Sequence, residues 1–326
     1  MQKRRVGQTD YYVNPIGIGC MGLSHAYGTP TPKSEAVEIL RKAYEIGYNF
    51  FDTAECYIGT NPDGSISYNE EIVGEAVKPF REKVVVCTKF GVTHEGTSLV
   101  MDSSPERIRK SIEGSLKKLQ MQYVDIYYQH RIDPKVEPEV VAGVMKELIQ
   151  EGKIKHWGIS EVDEDYLRRA HKICPVTVIQ NRYSMLARGQ EKMFKICDEL
   201  GITFVAYSPI ANGFMSGDFN GKQQFTEKGD YRSFMPQYTE EGVKKSEHLM
   251  KELKAIAEQK KCSLTQLSLA WIINKHKNCI PIPGSRKINR LEENFHAGEV
   301  VLTPEEIQKI DKLLDETHVP MFGVKE

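Results

Sequence analysis

The chain has 326 residues and 37.1 kDa, with 44 Lys plus Arg against 45 Asp plus Glu, a formal charge of -1. That balance argues against a nucleic-acid partner, which would need a cationic face. With 40% hydrophobic and 27% charged residues, no apolar run of roughly 18, and no apolar signal core in MQKRRVGQTDYYVNPIGIGC, neither a disordered chain, a membrane partner nor a leader is expected.

Apolar, β-branched runs alternate with amphipathic stretches from end to end. Strands are expected at 15–19, 49–52, 83–88, 124–129, 154–159, 176–180, 202–207 and 279–282. They are short, rich in Val, Ile, Phe and Tyr, and bounded by turn or charged residues, the pattern of strands buried on both faces. After the first, SEAVEILRKAYEIG places Ala36, Val37, Leu40, Ala43 and Tyr44 at helical spacing between a Ser34 N-cap and a Gly47 stop. After the third, SSPERIRKSIEGSLKKLQ starts a helix at Ser104 with Pro105 at its first position. VEPEVVAGVMKELIQEGK, EDYLRRAHKI, RGQEKMFKICDELG and SEHLMKELKAIAEQK supply further helices.

Eight strand-helix units imply a right-handed repeat, closed as a (β/α)8 barrel or open as a doubly wound sheet. Two features favour the barrel. The first strand ends Gly17-Ile18-Gly19-Cys20-Met21-Gly22 without a G-x-G-x-x-G turn into a helix. Polar residues also cluster at strand ends, at Asp52, Lys89, His130, Ser160, Gln180, Tyr207 and Ser208, and a barrel gathers those ends on one face. No linker divides the chain, so one α/β domain, a (β/α)8 TIM barrel over 1–326, is expected. Such a barrel needs about 250 residues. The surplus falls in the segment after Tyr57, the stretch 217–242 and the tail beyond Thr303, so long loops are expected on the C-terminal face.

Four of these residues suggest a chemistry. Asp52 ends the second strand in NFFDTAECY, with Tyr57 in the loop beyond. Lys89 ends the third strand in VVVCTKFG, and His130 the fourth in DIYYQHRID. A phenol with a pKa near 10 is a poor acid at neutral pH unless its phenolate is stabilised. A neighbouring Lys does this, an Asp holds the Lys, and a His donates to a carbonyl oxygen. Such a site polarises a carbonyl and protonates the alkoxide as it forms. Seven scattered cysteines without a C-x-x-C pair read as free thiols in a reducing compartment, the cytoplasm, and no metal-ligand cluster is present. Electrons must therefore come from a cofactor. The segment Ile282-Pro283-Gly284-Ser285-Arg286-Lys287-Ile288-Asn289-Arg290 has a glycine turn, a hydroxyl and three cations at a helix start. This suits a phosphate, and the three cations favour NADP(H) over NAD(H).

In combination, NFFDTAECY, VVVCTKFG, YYQHRID, KIKHWGIS, IQNRYS, VAYSPIANGFMSG and IPIPGSRKINRLEEN resemble the aldo-keto reductase family from about Val6 to Leu314. GCMGLSHAYG is similar to the bacterial, fungal and plant members nearer to potassium-channel β subunits than to mammalian aldose reductase. The resemblance implies a barrel binding extended NADPH, with hydride passing to an aldehyde or ketone. It makes Asp52, Tyr57, Lys89 and His130 the catalytic tetrad, with Tyr57 as acid and Tyr57 and His130 facing the substrate. It implies that Ser160 and Gln180 hold the nicotinamide amide and that Tyr207 stacks on its ring. Gly19, Cys20 and Met21 underlie the nicotinamide ribose, and Ser208, Pro209, Ile210, Asn212, Gly213, Met215 and Gly217 wrap the pyrophosphate. Beside Gly284, the residues Ser285, Arg286 and Arg290 meet the 2′-phosphate, and Glu293 and Asn294 meet adenine.

Three departures stand out. Glu161 stands where many members have Asn, and Met21 where some members have Trp, which implies a less aromatic pocket. IGTNPDGSISYNEE lengthens the segment after Tyr57 and should border the site. A carbonyl reductase is the first reading. A cofactor-sensing binding subunit with slow or vestigial chemistry is the second. Oligomeric state is left open.

Overall fold

The computed structural model describes residues 1–95, 98–219, 222 and 224–323. Its centre is one parallel eight-stranded sheet. The strands are β1 (Ile18–Gly19), β2 (Phe50–Asp52), β3 (Val85–Phe90), β4 (Val124–Gln129), β5 (Ile154–Ser160), β6 (Val178–Arg182), β7 (Thr203–Tyr207) and β8 (Cys279–Pro281). They lie side by side in chain order. The sheet closes where Gly17 and Gly19 donate their backbone N–H groups to the carbonyls of Pro281 and Pro283, at 3.0 and 3.3 Å. Eight parallel strands with helical crossovers, closed on themselves, make the expected (β/α)8 barrel.

Closure explains two glycines. A Cβ at Gly284 would sit 2.3 Å from the Gly19 carbonyl oxygen, and one at Gly19 would sit 2.7 Å from that of Ile282. Whatever else they do, both keep the first and last strands within hydrogen-bonding reach.

The helices are α1 (Lys33–Ile46), α2 (Asn69–Val77), α3 (Pro105–Leu119), α4 (Pro138–Gln150), α5 (Glu164–Ile173), α6 (Lys192–Leu200), α7 (Glu240–Gln259), α8 (Leu264–Lys275), α9 (Ile288–His296) and α10 (Pro304–Asp315). Ser104 caps α3 as expected, accepting the Arg107 N–H at 3.3 Å. Ser34 does not cap α1. The extended backbone of Pro32 precedes the first turn, so Ser34 lies inside the helix. α10 accounts for part of the tail beyond Thr303. Part of the polar stretch 217–242, residues 220, 221 and 223, lies outside the described residues.

Side chains alternate in and out along each strand. Phe51, Val86, Tyr127 and Ile179 face outward into the helical layer. Phe50, Val85, Cys87, Ile126, Tyr128, Val178, Val205 and Ile280 fill the barrel interior. The bottom is plugged by a hairpin of Arg4–Arg5 and Tyr12–Val13, which delivers Val6 and Val13 to that interior. Two more hairpins were not expected from the sequence. One pairs Ile58–Thr60 with Ile66–Tyr68, and the other pairs Val92–Glu95 with Ser98–Met101.

Beneath the barrel, Asp125 is 4% exposed and fully used. It accepts from the Tyr11 hydroxyl at 2.9 Å and the Val86 N–H at 2.8 Å, and pairs with Arg81 at 2.8 Å. Removing one member of such a pair leaves a buried charge uncompensated. Asp125→Ala should therefore lose about 3 kcal/mol of stability in urea unfolding. A loss below about 1 kcal/mol would mean that Arg81 finds water instead.

Candidate active site

The inward parity of the strands continues past their last apolar residue and delivers polar groups to the C-terminal mouth. Phe50 leads to Asp52, and Val85 and Cys87 lead to Lys89. Ile126 and Tyr128 lead to His130, Gly158 to Ser160, Val178 to Gln180, and Val205 to Tyr207. The eight-fold closure then turns these ends towards one another.

Lys89 is completely buried. Its ammonium contacts the Asp52 carboxylate, the Thr53 carbonyl at 2.9 Å and the Tyr57 phenol oxygen at 3.2 Å. Three N–H bonds thus meet three acceptors. Burial opposes the charge on Lys89, but Asp52 and Tyr57 outweigh it and hold its pKa above lysine's ordinary value. The other Asp52 oxygen accepts from the Gln180 amide nitrogen at 2.8 Å. With Lys89 donating to its oxygen, the Tyr57 phenol is left with its own proton to donate outward. Burial pushes this phenol up to about 12, with Lys89 pulling the other way.

Tyr57 is fixed from both sides. Its carbonyl accepts from the Ser24 hydroxyl at 3.1 Å and the Asn69 N–H at 3.1 Å. The Asn69 side chain in turn bonds Ser24, Thr53 and the Cys20 carbonyl. His130 meets the Tyr57 ring edge-on at 5.7 Å. The Cys56 thiol lies 3.4 Å from His130 Nδ1. Burial pushes that thiol up to about 12, so it stays protonated. Burial also drives His130 well below an ordinary imidazole, with Arg131 and Lys89 adding to the shift. The thiol is protonated and the ring neutral; with the thiol as donor to Nδ1, the ring proton sits on Nε2.

Ser160 and Gln180 offer complementary polarity. Arg131 donates to the Ser160 hydroxyl oxygen at 3.1 Å, so that hydroxyl can turn its proton into the mouth. Gln180 has its nitrogen on Asp52, which leaves its carbonyl oxygen as the acceptor. One donor beside one acceptor suits a primary amide. Tyr207 stands opposite Arg182 in the β6–β7 register. Glu161 lies in left-handed backbone, φ 54°, and accepts the Arg182 N–H at 2.8 Å.

The stretch after β7 is a tight series of turns. Ser208, Ala211, Asn212 and Gly213 all have positive φ, a geometry that forms anion-binding concavities of backbone N–H groups. Pro209 is buried and Ile210 partly so. Met215 packs into the core, so that position offers a ligand backbone only. Asn212 donates to the Tyr27 hydroxyl at 3.0 Å, and the Gly217 carbonyl accepts from Lys254 at 3.1 Å.

Arg286 reaches back across the barrel mouth to the carbonyls of Gly22, at 2.6 Å, and Thr29, at 2.9 Å. Its Nη2 is buried without a hydrogen-bond partner among the described residues. Arg290 instead pairs with Glu293 and with Asp218, at 2.7 and 2.8 Å, tying α9 to the β7 turns. The Ser285 hydroxyl accepts the Lys287 N–H at 3.0 Å, and Asn294 is buried in α9. At the end of β1, Cys20 is buried, with its N–H on the Asp52 carbonyl at 2.8 Å, and Met21 is partly buried.

Sequence reading missed several groups. Thr53 contributes a carbonyl, which no side-chain motif encodes. Asn69, at the start of α2, carried a usable signal as a polar residue before an apolar helical face. Met21 is partly buried at this mouth, and aromatic rings reach it from other segments. His25 stacks on Tyr57 at 6.0 Å and meets Tyr231 edge-on at 5.7 Å.

Residues 15–315 match the family model described as the aldo/keto reductase family. A soybean (Glycine max) protein named probable aldo-keto reductase 1 is 35% identical over 313 residues, which cover 95% of this chain and 88% of that protein. A glycerol dehydrogenase from Gluconobacter oxydans superposes with a TM-score of 0.84 at 26% identity, covering 98% of this chain and 96% of that one. An aldo-keto reductase from Klebsiella pneumoniae, solved in complex with NADPH, is similar in fold, with a TM-score of 0.72 at 24% identity, covering 100% of this chain and 97% of that one. The fold, the family match over nearly the whole length and the soybean relative agree: this chain belongs to the aldo/keto reductase family.

Proposed function

We propose that the protein reduces an aldehyde or ketone to an alcohol with NADPH, with Tyr57 as the general acid. The observation that carries this reading is the Lys89 ammonium held among the Asp52 carboxylate, the Thr53 carbonyl and the Tyr57 phenol. Bound NADPH supplies the hydride to the carbonyl carbon. Tyr57 gives its proton to the carbonyl oxygen, and Lys89 stabilises the phenolate that forms. Asp52 keeps Lys89 charged and in place. His130 donates from Nε2 to the same oxygen and orients it. Solvent then restores the Tyr57 proton.

The residues present fit the cofactor. The donor of Ser160 and the acceptor of Gln180 match the carboxamide. The positive-φ turns after β7 match a pyrophosphate. The unpartnered buried Nη2 of Arg286 marks the cation best placed for a 2′-phosphate. The Klebsiella neighbour's complex with NADPH supports the same cofactor here. Arg290 is already paired with Asp218 and Glu293, and we assign it a secondary part. The mouth takes a small-molecule carbonyl substrate against Tyr57 and His130.

Tyr57→Phe should reduce carbonyl turnover at least a thousandfold, to background, while NADPH still quenches or enhances fluorescence with a dissociation constant within about threefold of wild type. Near-normal turnover in that variant would remove Tyr57 from the acid role. Tight NADPH binding with no turnover of any carbonyl in the wild type would favour the binding-subunit reading instead.

The pH dependence has a definite sign. Reduction needs the protonated phenol, whose pKa is pushed up to about 12 by burial, so its rate should stay flat from pH 6 to 9. Alcohol oxidation needs the phenolate and should rise over the same range. A reduction rate that falls with a midpoint below pH 8 would contradict the assignment.

Arg286→Ala should weaken NADPH at least tenfold more than NADH in equilibrium titrations, since the charge-assisted phosphate contact is lost. Equal weakening of both nucleotides would place the 2′-phosphate elsewhere.

A further inference from the structure

Two arginines stand at the mouth: Arg131 orients Ser160, and Arg182 is not used by the reduction as derived. Arg131 follows His130 directly. One of its nitrogens donates to the His130 carbonyl at 2.6 Å and to the Ser160 hydroxyl at 3.1 Å. Arg182 lies two residues beyond Gln180 on β6, so it points to the same inner side, one layer higher. Its guanidinium donates to the Phe322 carbonyl at 2.9 Å. Both cations approach one ring. The guanidinium carbons lie 5.9 Å (Arg131) and 5.2 Å (Arg182) from the centre of Tyr207. Both side chains are only partly buried.

Like Arg4 and Arg286, which meet only backbone carbonyls, they have no carboxylate partner among the described residues. Arg81, Arg107 and Arg232, also partly buried, each pair with a carboxylate, of Asp125, Glu55 and Asp230. Among the described residues neither Arg131 nor Arg182 has such a partner, and their remaining N–H groups meet no protein acceptor. Glu161 faces the same Tyr207, but its carboxylate takes the Arg182 backbone N–H. Two guanidinium forks are thus held beside Tyr207, with Glu161 at the same ring but no carboxylate of the described residues paired to either guanidinium. A planar fork suits a carboxylate. The flanking surface is aromatic, with Tyr207 and Phe322 against the Arg182 guanidinium and Phe234 against Phe322.

We propose that Arg131 and Arg182 bind a carboxylate on the substrate, so that the preferred substrate class is an oxo-acid, an aldehyde or ketone that also carries a carboxylate. The carbonyl oxygen lies against Tyr57 and His130, and the carboxylate reaches the two guanidinium groups. This rests on the reductase reading above and adds to it the charge of the substrate.

The test is a matched set assayed with saturating NADPH: 4-carboxybenzaldehyde, its neutral amide 4-formylbenzamide, benzaldehyde, and 4-formylphenyl phosphate. Wild type should favour 4-carboxybenzaldehyde over the amide at least tenfold in kcat/KM, chiefly through KM. Arg182→Met and Arg131→Met should each lower that ratio at least fivefold, and Arg182→Lys should retain more of it than Arg182→Met. A ratio near one in wild type, a ratio untouched in both Met variants, or a preference for the phosphate would each overturn the proposal. Benzaldehyde turnover separates the two readings, because it tests the reductase chemistry without the anion. If no aldehyde turns over, calorimetric binding of 4-(hydroxymethyl)benzoate against its amide decides the anion site alone, with tighter binding of the benzoate supporting it and equal binding rejecting it.

Discussion

The ion pair of Lys89 with Asp52 is the interaction on which the mouth of this barrel depends. Both side chains are almost wholly withdrawn from water, 0% and 2% exposed. Such a pair is costly to desolvate and is a weak source of stability. It persists because the pair's own donors and acceptors are satisfied: Thr53 takes one Lys89 proton, Tyr57 another, and Gln180 donates to the second Asp52 oxygen. That completeness gives the proposed acid its environment. Burial raises the Tyr57 phenol, and the Lys89 ammonium in contact with its oxygen makes the phenolate accessible when a proton leaves.

The barrel separates stability from chemistry by its two ends. At the bottom, Asp125, Arg81 and Tyr11 form a closed polar network under the hairpin plug. Between the ends, a mostly apolar interior separates the two polar layers. At the top, the same inward positions carry Asp52, Lys89, His130, Ser160, Gln180 and Arg182. A bulky side chain at Gly19 or Gly284 would push the first and last strands apart and open this ring.

The added hairpins shape the rim. The Ile58–Thr60 and Ile66–Tyr68 pair begins directly after Tyr57, and the His25 ring donates from Nδ1 to the Ile58 carbonyl at 2.9 Å. His94, from the second hairpin, lies 5.1 Å from His25. The rim therefore places imidazole and phenol rings, drawn from four separate segments, around the proposed acid. The proposed anion site lies in the arc of Arg131, Tyr207 and Arg182.

Much of this was legible in the sequence. Alternation of buried strands with amphipathic helices specifies the barrel, and its motifs specify the family. The strand interiors were read correctly, because Val, Ile, Phe and Tyr runs bury on both faces. The edges were not: β3 extends to Phe90 and β6 to Arg182, because neighbouring strands supply hydrogen bonds that no local propensity encodes. The Ser34 cap failed for a local reason, since Pro32 already holds the extended backbone from which the helix starts. Residue type and strand parity alone determined which side chains face the mouth. Only the tertiary structure decided how they pair. It gave Asp218 to Arg290, left Arg286 with a nitrogen unpartnered among the described residues, and set Arg131 and Arg182 beside one ring with no carboxylate of the described residues paired to their guanidinium groups. Pairing follows distance across the closed barrel, and residues that meet there are separated by tens to hundreds of positions along the chain.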